Sequence, residues 1–283
     1  MYLLSYFRTE SEALHLALSE DGFTFEAVNG NLAVLEATEQ TGTMRDPFLF
    51  QDQDGLFHLL ATDGWRGSSL AHATTEDLIF WSEQRTIPVM ETIPGTRNVW
   101  APEVFYGIED GQYRIIWSST VDTSETERVR DHRIWACNTI DFETFSDSYL
   151  FFDPGYNVID ATVVGYGDVY LMAFKDERGE NRVDTDYKAI RTAISLVPGG
   201  PFEAVSGLVT PAPVEGPTIY RKDNLWVMLY DHFLEDRYGV SVSKDGRQWT
   251  VSEVEVVLPE GLRHGSVIEV SKEIADRLKS HFG

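Results

Sequence analysis

Five β-rich hexapeptides recur along this chain at one fixed spacing. YLLSYF from Tyr2, HLLATD from His58, RIIWSS from Arg114, YLMAFK from Tyr170 and WVMLYD from Trp226 each begin 56 residues after the one before. A second series trails them: LHLALSED around His15, LAHATTED around His72, IWACNTID around Trp135, IRTAISL around Arg191 and GVSVSKD around Val240. A third closes each unit with a turn and an aromatic residue, at Phe25, Trp81, Phe145, Phe202 and Trp249. A fourth precedes the first: RDPFLF from Arg45, APEVFY from Ala101, DATVVGY from Asp160, GPTIYR from Gly216 and HGSVIEV from His264. All are short, β-branched or aromatic, and bounded by Gly, Asp, Asn or Pro, which is the pattern of strands.

Four strands in each of five units predict 20 strands over 283 residues. A repeat of this length with four strands per unit points to a β-propeller. The series also predict how the ring closes. The first strand of the fifth unit, HGSVIEV, lies near the C-terminus, whereas its other three strands lie at the N-terminus. The expectation is therefore one all-β domain over 1–283. It is a five-bladed propeller with four antiparallel strands per blade, one blade being shared by both chain ends. A β-sandwich with accidental spacing is the competing reading, and agreement among several series disfavours it. The tail predicts a short helix over 271–282. Ile274, Ala275, Leu278 and Phe282 share a face for packing on the closing blade, and Ser271 caps the start.

Composition narrows the function classes. The chain carries 46 acidic and 23 basic residues, a net charge of −23. So acidic a surface repels phosphate backbones and anionic lipid, which argues against nucleic-acid and membrane partners. No apolar run approaches the roughly 20 residues of a membrane span. Cys137 is the single cysteine, so no internal disulfide forms. The N-terminus, MYLLSYFRTESE, has no basic segment followed by a long apolar one, so a cytoplasmic location is expected. Oligomeric state is not legible.

Chemistry is expected where the first strands begin, because all five meet at one mouth of the channel. The residues there are Arg45 and Asp46, Trp100 and Ala101, Ile159 and Asp160, Glu215 and Gly216, and Arg263 and His264. Gathering three carboxylates is costly unless something uses them. Such a cluster suits glycosidic hydrolysis, in which one carboxylic acid protonates the leaving oxygen and a carboxylate activates water or attacks. Close like charges raise one carboxyl pKa and keep a proton on the acid. Trp65, Trp100 and Trp117 offer flat faces for a sugar, while Trp81 and Trp249 read as core. Asp231 and His232 follow an inner strand and could reach substrate or form a structural pair. Lys175 and Glu177 fall near the rim, and the role of Glu103 is open. The polar stretches 119–132 and 176–187 read as rim loops, which favour a pocket and exo cleavage.

MRDPFLF, VWAPEVFY, VIDATVVGYGDVYLMAFKDE, VEGPTIYRKDNLWVMLY and LRHGSVIEV together resemble glycoside hydrolase family 43. The resemblance covers roughly residues 42 to 270 and implies a five-bladed propeller. It implies an inverting hydrolase of α-L-arabinofuranosides or β-D-xylosides. By it, Asp46 matches the general base, Asp160 the pKa modulator and Glu215 the general acid. An inverting base and acid would stand roughly 6.5–9.5 Å apart. Arg263 would contact substrate, as would Arg45 and His232. His264 would lie beside a bound hard cation such as calcium, held mostly by water or oxygens, with a hydrogen-bonded structural histidine as the competing reading and no cofactor required for the chemistry. The sequence departs from the family at Ala161, where IDAT replaces the usual IDPT. Family 32 also carries an RDP motif, but no WMNDPNG precedes it here. The alternatives are a carbohydrate-binding propeller without activity and a hydrolase of another furanoside such as β-D-galactofuranoside. A protein-interaction propeller lacks its WD or kelch signatures.

Overall fold

The computed structural model describes residues 1–123, 129–179, 181 and 184–283. Parts of both expected rim loops, residues 124–128, 180, 182 and 183, lie outside that description. In chain order the strands are β1 (Tyr2–Arg8), β2 (His15–Ser19), β3 (Glu26–Ala27), β4 (Arg45–Gln51), β5 (Phe57–Thr62), β6 (Leu70–Thr75) and β7 (Arg85–Ile87). There follow β8 (Trp100–Gly107), β9 (Gln112–Thr120), β10 (His132–Thr139), β11 (Tyr149–Phe152), β12 (Val158–Tyr166), β13 (Val169–Asp176) and β14 (Ala189–Ser195). Last come β15 (Glu215–Lys222), β16 (Leu225–His232), β17 (Arg237–Ser243), β18 (Thr250–Ser252), β19 (Leu262–Glu269) and the helix α1 (Lys272–Phe282).

These strands form five antiparallel sheets, β4 to β7, β8 to β11, β12 to β14, β15 to β18, and β19-β1-β2-β3. The protein is a five-bladed propeller whose closing blade joins both chain ends. The sheet of β12 to β14 holds three strands among the described residues. Its fourth place is taken by one bridge, Ile194 to Glu203, beside the buried Phe202. The outer edge of β14 is still satisfied: Ser206 N–H donates to the Thr192 carbonyl and Val209 N–H to that of Ile190. The segment GGPFEA thus keeps the closing aromatic without making a ladder.

Closure rests on β1 and β19, which pair from Tyr2–Glu269 to Arg8–Leu262. Ser5 Oγ lies 2.9 Å from Ser266 Oγ and donates to the Pro47 carbonyl at 2.7 Å. Ser266 Oγ also accepts from the Leu49 N–H at 3.0 Å, so the seam is tied to the first blade. Blade faces pack as sheet on sheet, with buried apolar clusters between neighbouring blades. Helix α1 covers the cluster around Leu3, Leu16, Leu49 and Leu59, burying Ala275 and Leu278. The Ser271 hydroxyl caps the helix by accepting from the Ile274 N–H.

Gly265 sits in the closing ladder opposite Tyr6. A Cβ there would lie 1.8 Å from the Ser5 carbonyl oxygen. Gly265→Ala must therefore push β1 and β19 apart and is expected to cost about 3 kcal/mol or more. Gly207 has open space around it and serves as the control. Urea denaturation should show a large loss for Gly265→Ala and nearly none for Gly207→Ala. Equal midpoints for the two variants would mean that the seam is not tightly packed.

Candidate active site

The register of the inner strands explains how the site is made. Each inner strand has a β-bulge at the same level. The shift falls between Arg45 and Phe48, Trp100 and Glu103, Ile159 and Thr162, Glu215 and Thr218, and opposite Tyr6 and Phe7 at His264. In four blades the first bulge residue is left-handed: Asp46 at φ 50°, Ala101 at 45°, Asp160 at 53° and Gly216 at 56°. A bulge releases its residue from the ladder and re-aims the side chain, here at the channel mouth. The left-handed region costs a non-glycine residue roughly 1–2 kcal/mol, though Asp tolerates it better than most. At Gly216 a second constraint acts, because a Cβ there would meet the His264 ring at 2.4 Å.

A pocket of about 490 Å³ opens at this mouth. Asp46, Asp160, Glu215, Arg263 and His264 line its inner end, and Arg45, Trp65 and Trp100 line one wall. Asp46 Oδ2 accepts from Thr62 Oγ1 at 2.8 Å, and the same hydroxyl accepts from the Ala101 N–H at 2.9 Å. Asp46 Oδ1 lies 3.6 Å from His264 Nδ1. Asp160 is clamped at its backbone, whose N–H donates to Ser118 Oγ, and its Oδ2 accepts from the Gly216 N–H at 3.2 Å. Glu215 accepts from Lys175 Nζ at 2.9 Å and from Arg263 Nη2 at 3.0 Å. Arg263 Nε also donates to Asp231 Oδ2 at 2.9 Å.

These environments split the carboxyl groups. Burial raises the Asp160 pKa to about 6, with His264 pulling down and Glu215 pushing up. Burial also favours the protonated form of Glu215, but Lys175, His264 and Arg263 outweigh it and hold its pKa below the ordinary value. Asp231 is pushed by burial to about 6 despite Arg263. Deeper along the axis, burial raises Glu103 well above the usual range, and a Thr162 hydrogen bond only partly opposes this. Burial lowers the His264 pKa, yet Asp46, Asp160, Glu215 and Asp231 together outweigh it and raise the net value.

The wall beside the catalytic end is aromatic. The Arg45 guanidinium stacks at 4.4 Å on Trp65 and 4.6 Å on Phe7, and is anchored by Glu12 at 2.6 Å. Trp100 donates through Nε1 to the Trp65 carbonyl and stacks on His132 at 4.9 Å. The backbone N–H of His132 donates to Asn157 Oδ1, which identifies that atom as the oxygen. His132 Nδ1 faces the same oxygen at 3.2 Å and must carry the ring proton. Burial holds the His132 pKa down at about 4, so the ring is neutral and Nε2 is its unprotonated nitrogen, on a pocket-lining residue.

A propeller with three carboxylates converging on a pocket of this kind has known relatives. The sequence model of a family related to glycoside hydrolase family 43, described as "Probable glycosyl hydrolase domain", matches residues 1–276. The chain belongs to this glycosyl hydrolase family. It is 26% identical over 185 residues to an α-L-arabinofuranosidase of Bifidobacterium longum, a match covering 56% of this chain. That match spans only 17% of the length of the curated relative. A family 117 glycoside hydrolase of Zobellia galactanivorans shares the fold with a TM-score of 0.61 at 18% identity, covering 80% of this chain and 74% of that one. An α-L-arabinofuranosidase of Lactobacillus brevis does so with a TM-score of 0.56 at 16% identity, covering 75% and 73%.

In this glycosyl hydrolase most of the expected site residues meet at the pocket, and two do not. Trp117 is 1% exposed within the core around Ile115 and Met90, so it is no sugar platform. Its strand alternation points it between blades. His232 is buried against Tyr230, and its neighbour Phe233 lines the pocket in its place. Asp231 is 1% exposed and reaches the site only through Arg263. Among the described residues no three His, Cys, Asp or Glu side chains converge as metal ligands. Thr62, Arg130, His132, Lys188 and Phe233 line the pocket without having been singled out from the sequence. Arg130 and His132 come from the first polar stretch read as a rim loop, where composition marked the loop and not the residue.

Asp160 gives a test with a definite sign. Its pKa is raised on folding, so the stability it contributes is present below its unfolded value and lost as pH rises through about 6. Asp160→Asn removes that loss. The variant is expected to exceed the wild type in stability at pH 8 by about 3 kcal/mol. The advantage should vanish near pH 4. Urea midpoints at the two pH values check this, and identical midpoints at pH 8 would contradict the buried setting.

Proposed function

We propose that this glycosyl hydrolase releases terminal α-L-arabinofuranosyl or β-D-xylosyl units from plant-derived oligosaccharides by a single inverting displacement. The observation that carries the reading is the convergence of Asp46, Asp160 and Glu215 on one pocket floor in three different electrostatic settings. Asp46 has no lysine or arginine partner among the described ion pairs and faces His264 and Thr62. It is the carboxylate free to take a proton from water. Glu215 is held by Lys175 and Arg263, which stabilise the charge it acquires on giving its proton to the leaving oxygen. Asp160, hydrogen-bonded to the backbone beside Glu215, modulates that acid. The walls formed by Trp65 and Trp100 on one side and by Lys175, Lys188 and Phe233 on another suit a pocket that accepts a chain end. The Bifidobacterium and Lactobacillus relatives support an arabinofuranoside as the first substrate to try.

A panel of aryl and oligosaccharide arabinofuranosides, xylosides and galactofuranosides tests the reading. Asp46→Asn and Glu215→Ala are each expected to lose about 10²–10⁴-fold in kcat on an oligosaccharide. Glu215→Ala should recover much of its rate on a dinitrophenyl glycoside, whose leaving group needs no proton. Proton NMR of the fresh product should show inverted configuration. Retention would end the single-displacement mechanism. Binding by calorimetry with no turnover on any member of the panel would instead favour a carbohydrate-binding propeller.

Trp65 is 58% exposed at the pocket mouth, with Arg45 stacked on it. Its indole presents a second face to the mouth, and Trp65→Ala is expected to raise KM for an oligosaccharide about tenfold or more while leaving kcat on a short aryl glycoside within about twofold. Unchanged KM on both substrates would remove Trp65 from the binding surface.

A further inference from the structure

Six side chains of alternating charge run in single file past the proposed acid. Lys188 Nζ lies 2.9 Å from Glu177 Oε1. Lys175 Nζ lies 2.9 Å from Glu177 Oε2 and also 2.9 Å from Glu215 Oε2. Arg263 then bridges Glu215 Oε1 at 3.0 Å and Asp231 Oδ2 at 2.9 Å. Lys175 is 3% exposed, so neither carboxylate shares its ammonium with bulk water. Its Nζ also lies 4.7 Å from the Phe233 ring, which leaves it little room to hydrate. One buried cation is thus divided at equal distance between a carboxylate that does the proposed chemistry and one that does not.

We propose that Glu177, anchored by Lys188, sets the proton affinity of Glu215 through the ammonium of Lys175. Glu177 and Lys188 are positioning residues in this arrangement, since neither touches Glu215. A lysine carries one charge and three donors, and whatever Glu177 draws from it is withdrawn from Glu215. Glu177 also repels the ionised form of Glu215 directly, so both effects have the same sign. Asp160, Asp231, His264 and Tyr238 face Glu215 as well, and His132 faces Glu177. None of them bridges the two carboxylates. The device resolves a tension in the site. An acid held as a carboxylate by two cations is a strong proton donor but is protonated in only a small fraction of molecules near neutral pH. Glu177 weakens that hold, so Glu215 keeps a higher proton affinity than Lys175 and Arg263 alone would leave it, though still below the ordinary value.

The proposal rests on Glu215 being the acid only for its catalytic consequence; the ladder itself concerns how Glu215 titrates. Carbon-13 NMR of the glutamate carboxyls, with the Glu215 signal assigned by its loss in Glu215→Gln, reads that titration without any substrate. Lys175→Met should move the Glu215 midpoint up by about one pH unit or more, a tenfold rise in proton affinity. Glu177→Gln should move it down, and Lys188→Met up by a smaller amount. The basic limb of kcat/KM should follow in the same directions. Glu177 is partly exposed, so Glu177→Gln and Lys188→Met carry the test if Lys175→Met does not fold. A Glu215 midpoint that stays put in Glu177→Gln, or moves up, overturns the proposal. A midpoint that moves as expected while the kcat/KM limb stays fixed supports the ladder and removes Glu215 as the acid.

Discussion

The pairing of β1 with β19 is the interaction on which the rest of this molecule depends. Inner strands of all five blades, β4, β8, β12, β15 and β19, supply the site, and their relative positions are fixed only when the ring is closed. Arg263 and His264 ride on β19, so a slip at the seam would part Arg263 from Glu215 and His264 from Asp46. The closing contacts are as non-local as the chain permits; Ser5 and Ser266 are 261 residues apart. Contacts of that range form late, after much chain entropy has been lost. The hydroxyl pair and the close approach at Gly265 give the seam a single register.

Within the closed ring the chemistry is a matter of dividing charge. Three carboxyl groups around one axis would repel one another if their surroundings were alike. Here Glu215 has two cations, Asp160 has burial and a backbone donor, and Asp46 has an imidazole and a hydroxyl. Asp160 and Glu215 thus hold protons with different strength, the kind of difference acid–base catalysis uses. The pocket also departs from the surface around it. Its charged lining comprises five Lys or Arg residues, namely Arg45, Arg130, Lys175, Lys188 and Arg263, against four acidic ones, in a chain of net charge −23. The acidic excess lies elsewhere.

The 56-residue repeat was enough to read five blades, the shared closing blade and the helix capped by Ser271. Strand alternation and turn residues report on local structure, and in a ring the rest follows by repetition. The blade of β12 to β14 escaped because GGPFEA keeps the buried aromatic of an outer strand while its flanks pair one residue at a time. The site was legible where residues open inner strands, and less so elsewhere. Trp117 was misplaced because a tryptophan on an inner blade strand looks the same whether it faces the channel or the next blade. His132, Lys188 and Phe233 reach the pocket from strands and loops whose paths no pattern fixes. The partners of Glu215 were also out of reach, since Lys175 and Arg263 meet it only across blade boundaries.

The five bulges have a consequence of their own. At one geometric station the blades carry Asp46, Ala101, Asp160, Gly216 and His264, so the backbone offers the same outlet five times and the sequence fills it five ways. Because a bulged residue lies outside the ladder, exchanging its side chain leaves the hydrogen bonds of the blade intact. Duplicated blades could therefore diverge in function one residue at a time, within the limits set by the left-handed backbone and by neighbours such as the His264 ring beside Gly216. Ala101 and Gly216 mark stations where the chain has placed no polar group, beside three that carry Asp46, Asp160 and His264.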